Sequence, residues 1–173
     1  MGESLAELQP EVVFLFSSIH EAVPELLSGF YDGLEHDSTI VVGNTGDGCF
    51  ETGGVSDFGA AALALASQGK VRWRLERIDG LQDTIEGKLE RLIERLQEED
   101  GEPCWAYLAS DFRVDVSRVE AILRSRSRFP IAGGLAMDDR RGLNCFLYVN
   151  REIVNDALIV LAAYGDLDFS IVL

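Results

Sequence analysis

Four short clusters hold the side chains and backbone that could do chemistry. Gly43-Asn44-Thr45-Gly46-Asp47-Gly48 places three glycines in six residues, directly behind the apolar run Ile40-Val41-Val42. Glycine tolerates positive φ and lets a ligand approach the backbone, so such a loop after a buried strand suits binding. It is not a dinucleotide fingerprint, because the glycines run G-x-x-G-x-G and no clear helix follows. It is not a phosphate loop either, since the Gly-Lys-Ser/Thr ending is missing. A tight turn into the next strand would use the same residues. Ser17-Ser18-Ile19-His20 and Ser110-Asp111 each close an apolar run, and Asp138-Asp139 stands in a polar loop. Hydroxyls, an imidazole and backbone amides at strand ends suit a polar or zwitterionic ligand. The paired aspartates would suit a cation or a ligand's amino group, although Asp-Asp-Arg-Arg is also an ordinary polar loop.

Nucleophilic catalysis needs a nucleophile, a base and a group that orients the base. Ser17, Ser18 and Cys49 are the candidate nucleophiles of a hydrolase or transferase, and the chain has two histidines, His20 and His36. Neither sits in a recognised catalytic motif. His36 falls in the helix-terminating run His36-Asp37-Ser38 and reads as surface. His20 reads as a loop or capping histidine rather than a ligand group. A single histidine can nevertheless ligate haem. The C-x-x-C-H attachment motif is missing, so any haem would be non-covalent. Arg124, Arg126 and Arg128 form a basic helix end, favourable to the helix dipole and available to an acidic partner.

These clusters need elements to position them. The chain has 173 residues, 47% hydrophobic, with a formal charge of −15. That length fits one domain, or two small halves packed intimately. The charge argues against nucleic acid or an anionic membrane as partner. Cys49, Cys104 and Cys145 are an odd, widely spaced set, which argues for a reducing cytoplasm and no disulfide framework. Residues 1–10 do not read as a signal peptide, and the apolar runs are too short to span a bilayer. A soluble protein is expected.

Val12–Phe16 and Thr39–Val42 read as buried strands, separated by an amphipathic helix that starts between His20 and Pro24. Phe50–Val55 is an edge strand or hairpin arm, and Phe58–Ser67 a strand. The strict alternation of Val71–Ile78 marks a half-exposed antiparallel strand. Leu81–Gln97 carries Leu81, Ile85, Leu89, Leu92, Ile93 and Leu96 on one helical face, and an acidic linker, Glu98–Pro103, follows. Cys104–Ala109 is a buried strand, and Asp115 an N-cap for a helix through Leu123. Strands then follow at Ile131–Leu135, Cys145–Val149, Arg151–Val154, Ala157–Ala163 and Leu167–Val172, with turns at Asn150 and Asn155-Asp156.

The chain also echoes itself. Phe14-Leu15-Phe16-Ser17-Ser18 resembles Tyr107-Leu108-Ala109-Ser110-Asp111, and Ile40-Val41-Val42-Gly43-Asn44 resembles Ile131-Ala132-Gly133-Gly134-Leu135. Two related β-α-β-β-β halves, about 11–79 and 103–173, joined by the helix over 81–97, are the simplest reading. The expected fold is mixed α/β (α+β), with mixed sheets packed together and helices outside. In such units the first two strands are parallel and ligands gather beyond their carboxyl ends. A pseudo-twofold would bring Ser17, Ser18, His20, Asn44, Thr45 and Gly46 to a cleft shared with Ser110, Asp111 and Gly134.

The same residues carry a family resemblance. Val12-Val13-Phe14-Leu15-Phe16-Ser17-Ser18, His20, Ile40–Gly48, the run Ala60–Ala66 and Ile131–Ala136 resemble the N-terminal FIST domain, named for F-box and intracellular signal-transduction proteins. The similarity runs from Val12 to the end. It implies a sensory, signal-input module that binds a small ligand, amino acids among the proposals, with haem-based nitric oxide sensing in some members. That family usually has Ser or Cys and Ala where this chain has Asn44 and Asp47, which would alter ligand preference. It normally continues into a C-terminal domain, whereas this chain stops at Leu173. A stand-alone or truncated input domain, or a downstream signalling protein as partner, is therefore expected. The leading expectation is a non-enzymatic small-ligand sensor; the alternatives are a haem module and a hydrolase or transferase.

Overall fold

The structure, a computed structural model, describes residues 7–34, 37–51, 53–81, 85–98 and 101–166. It is an α+β chain that divides into two compact units. One comprises Met1–Ser67 with Leu135–Asn155, the other Gln68–Gly134 with Asp156–Leu173.

The first unit is built on a five-stranded sheet in the order β10-β9-β2-β1-β5. Strand β1 (Val12–Ser18) forms because β-branched and aromatic residues favour the pleated backbone. A short 3-10 turn, Ile19–Glu21, leads to helix α1 (Pro24–Leu34), where Pro24 takes the first helical position, which has no intrahelical use for its missing N–H. Strand β2 (Ile40–Gly46) then returns parallel to β1, pairing Leu15 with Gly43 and Ser18 with Gly46. β3 (Cys49–Glu51) and β4 (Gly54–Ser56) make a small antiparallel hairpin. β5 (Ala60–Leu65) pairs antiparallel with β1 and forms one sheet edge. Later in the chain, β9 (Leu147–Val149) pairs with β2, and β10 (Glu152–Val154) with β9. Val13, Leu15, Val41 and Tyr148 bury one sheet face under Leu27, Phe30, Tyr31 and Leu34 of α1.

The second unit holds a four-stranded sheet in the order β6-β11-β7-β8. Its centre is β11 (Ala157–Tyr164), buried at all eight positions. It is flanked antiparallel by β6 (Arg72–Asp79) and β7 (Trp105–Asp111), and β8 (Ile131–Ala136) lies beside β7. Helix α2 (Ile85–Glu98) buries Leu89, Leu92, Ile93 and Leu96 almost completely. Helix α3 (Val116–Arg126) starts at Asp115, whose carboxylate accepts the Ser117 and Arg118 N–H groups. Pairs Arg118–Glu86 at 2.8 Å and Arg126–Glu90 at 3.1 Å link the two helices.

Most elements lie where the sequence pattern places them. The helix expected from Leu81 is described from Ile85, and the strand expected at Cys145 begins at Leu147. His36 and the strand expected at Leu167–Val172 fall outside the described residues. The pairing is less local than chain order suggests. β6, which follows β5 through a turn at Gln68-Gly69, pairs with β11 through eight residues, whereas β9 and β10 join the sheet of β1 and β2. No helix among the described residues is long and apolar enough to cross a membrane.

Candidate functional site

Parallel pairing brings the carboxyl ends of β1 and β2 together at Ser18 and Gly46, where α/β units commonly bind ligands. Within the first unit these two residues line a cleft of about 210 Å³. His20 stands on one side, from the 3-10 turn that β1 runs into. Asp57 and Phe58 come from the bend before β5, and Asp139 and Arg140 from the loop after β8. That loop is shaped by Asp138, whose buried carboxylate accepts the N–H groups of Arg141, Gly142, Leu143 and Asn144 at 2.6–3.2 Å. The Leu143 bond leads in holding the Asp138 carboxyl below its usual value.

Ser18 is 2% exposed, and among the described residues its hydroxyl has no hydrogen-bond partner. A buried unpaired hydroxyl costs about 1–3 kcal/mol, so this atom marks where an incoming polar group would be rewarded. Two pairs of side chains across the cleft are matched to one another. His20 Nε2 lies 3.4 Å from Asp139 Oδ2, and Arg140 Nε 3.4 Å from Asp47 Oδ2. The His20 and Phe58 rings sit with centroids 5.6 Å apart.

Of the residues singled out from sequence, Ser18, His20, Gly46, Asp47 and Asp139 line this cleft. Ser17 points to the opposite sheet face by strand alternation and is bonded to the Tyr148 hydroxyl and the Ser18 carbonyl. Thr45 is fully buried; its hydroxyl donates to the Met137 carbonyl at 2.8 Å and accepts the Phe146 N–H at 3.0 Å. Asn44 donates to the Thr45 carbonyl. These three secure the rim from within. Ser110, Asp111 and Gly134 belong to the second unit. There Ser110 bonds the Asp111 carbonyl, and the Asp111 carboxylate is taken by Arg113 and the Asp156 N–H, while Gly134 is exposed. Sequence reasoning passed over Asp57 and Phe58, because no spacing in the chain links them to His20.

Among the described residues, none of Ser17, Ser18 and Cys49 bonds a histidine, so no activated nucleophile is assembled from them. Burial pushes the Cys49 thiol up, and it donates to the Phe16 and Gly59 carbonyls, the reverse of an activated thiolate. Haem does not fit beside His20 either. Pockets for drug-sized ligands run about 300–1,000 Å³ and are mainly apolar, whereas this cleft is smaller and largely charged. A wider groove of about 590 Å³ lies in the second unit between β6 and α2. Lys88 bonds the Asp79 and Gly80 carbonyls, Arg77 pairs with Asp79 and Arg95 with Glu76, and the groove reads as a solvated surface.

A family model described as the FIST N domain matches residues 11–173, nearly the whole chain. No curated protein matches the chain.

Proposed function

The chain belongs to the FIST N domain family, a family of sensory domains in signal transduction, and from that premise we propose that it is an input domain that binds a small polar metabolite, of amino-acid size, at the carboxyl ends of β1 and β2. The observation that carries this reading is Ser18, which lines the cleft and whose buried hydroxyl has no partner among the described residues. A ligand that hydrogen-bonds it removes a desolvation cost the free protein bears, which converts into affinity. The same ligand meets His20, Asp139 and Arg140, so its arrival re-sorts the ion pairs of the loop pinned by Asp138. That loop is the means of passing occupancy to a downstream signalling protein or a C-terminal domain.

A thermal-shift screen against small polar metabolites tests the reading. A ligand at a hundredfold over its dissociation constant stabilises by about 2.7 kcal/mol, a rise of about 5–10 °C for a domain of this size. Ser18→Ala should abolish the shift while leaving the free protein as stable as before or more so, because it deletes an unpaired buried hydroxyl. Gly46→Val should abolish it by filling the cleft. Gly134→Ala should leave it intact, and haemin should give no shift. A shift that survives both Ser18→Ala and Gly46→Val would place the ligand elsewhere.

A further inference from the structure

We infer that this cleft selects a small organic cation, a primary amine carrying a hydroxyl, over zwitterions and anions. The inference rests on the sensory reading of the cleft and adds the charge class of its ligand.

Three carboxylates line the cleft, those of Asp47, Asp57 and Asp139, against one guanidinium, Arg140, and the imidazole of His20. The basic groups already have carboxylate neighbours: Arg140 has Asp47 at 3.4 Å, His20 has Asp139 at 3.4 Å, and Arg141, just outside, has Asp139 at 3.2 Å. Asp57 is exposed and, among the described residues, has no ion-pair partner. An incoming anion would have to displace a carboxylate from Arg140 or His20 and would face a surplus carboxylate, on a chain of net charge −15. An incoming ammonium finds Asp57 free and the Phe58 ring beside it, 64% exposed, whose face attracts a cation.

Acidic side chains alone would mean only a solvated rim. The second observation is Ser18, 2% exposed and lining the same cleft, whose buried hydroxyl has no hydrogen-bond partner among the described residues. It asks for a neutral hydrogen-bonding group in addition to the charge. Among the described residues no group of three or more His, Cys, Asp or Glu is placed to hold a metal ion, whereas a lone carboxylate beside an aromatic ring suits an organic ammonium. The cleft's volume of about 210 Å³ has room for a small metabolite of this kind.

Isothermal titration with 2-aminoethanol, glycine and glycolate, at low salt, decides the matter. 2-Aminoethanol is expected to bind about tenfold more tightly than glycine, with glycolate weakest, and added salt should weaken it. Asp57→Asn, a change on an exposed loop, should leave the melting temperature unchanged and reduce 2-aminoethanol affinity about tenfold. Ser18→Ala should weaken 2-aminoethanol and spare its hydroxyl-free analogue ethylamine. Glycine or glycolate binding as tightly as 2-aminoethanol, or an Asp57→Asn affinity equal to wild type, overturns the charge class and leaves the sensory reading standing. Failure of all four compounds to bind, with the Gly46 and His20 amide NMR signals unmoved, overturns the charge class as well. The metabolite screen then decides the sensory reading by itself.

Discussion

A Cβ placed on Gly43 would lie 1.8 Å from the Leu15 carbonyl oxygen, and one on Gly133 would lie 1.8 Å from that of Leu108. Both collisions are with backbone, so no side-chain rearrangement relieves them. Gly43 also holds a φ of +151°, which residues with a Cβ rarely adopt. Gly43→Ala and Gly133→Ala are each expected to destabilise by about 3 kcal/mol. Gly134→Ala, with nothing within 4 Å of the new methyl, should stay within about 0.5 kcal/mol of wild type. Denaturant midpoints check all three. The contact is of the same kind at both positions, a glycine against the backbone carbonyl of a leucine, Leu15 for Gly43 and Leu108 for Gly133. Sequence alone could not choose between Gly133 and Gly134, because it gives residue type but not the direction in which a Cβ would point. The same limit applies to the site. Ser17 and Ser18 are adjacent and identical, yet one is bonded to Tyr148 and the other is left without a partner at the cleft.

Single elements were largely legible because their signals are local. The period of Leu89, Leu92, Ile93 and Leu96 marks α2, the alternation of Val71–Ile78 marks β6, and Asp115 caps α3 as its position before an apolar run suggests. What joins elements is less visible, and Asp111 is the clearest case. From sequence it reads as a rim residue, but its carboxylate fastens the end of β7 to the residue before β11, accepting the Asp156 N–H at 2.9 Å as well as the Arg113 guanidinium. Asp156 in turn accepts the Leu81 N–H at 3.0 Å. Burial pushes the Asp111 carboxyl up, but the side-chain and backbone bonds from Arg113 and the bond from Asp156 outweigh it, bringing it from 3.8 to about 2. A carboxyl more acidic folded than unfolded stabilises the charged, folded form. Its contribution, about 2 kcal/mol, is fully present above its unfolded value of 3.8 and is lost as pH falls from there towards about 2. Asp111→Asn should therefore lower stability at neutral pH, and the gap from wild type should narrow across that acid window. Urea melts at about pH 6 and about pH 2.5 measure both effects; a gap that stays constant between them would show that the Asp111 charge is not what holds this junction.

At the scale of the whole molecule, the chain does not complete one unit before starting the other. The first unit takes Leu135–Asn155 from late in the sequence, and the second begins at Gln68, before the first is finished. Consequently β2 lacks its β9 neighbour until residue 149 exists, and β6 lacks its β11 partner until residue 164 exists. Hydrophobic alternation tells a strand which face to bury and leaves its partner open, which is why β6 reads from sequence as the companion of β5. Cutting the chain in the acidic stretch after α2 makes the consequence measurable. Residues 1–100 would carry β1 to β6 with α1 and α2, and residues 101–173 would carry β7 to β11 with α3. In the first piece β6 has no β11, leaving an unpaired strand and an exposed row of backbone donors and acceptors. In the second, β9 and β10 form a two-stranded hairpin cut off from β2, and an isolated hairpin is at best marginally stable in water. Neither piece should show a cooperative thermal transition alone, and an equimolar mixture should regain the transition and the near-ultraviolet dichroism of the intact chain. A cooperative transition in residues 1–100 alone would mean that the sheet of β1, β2 and β5 stands without β9, and that the interleaving is a matter of connectivity rather than of stability.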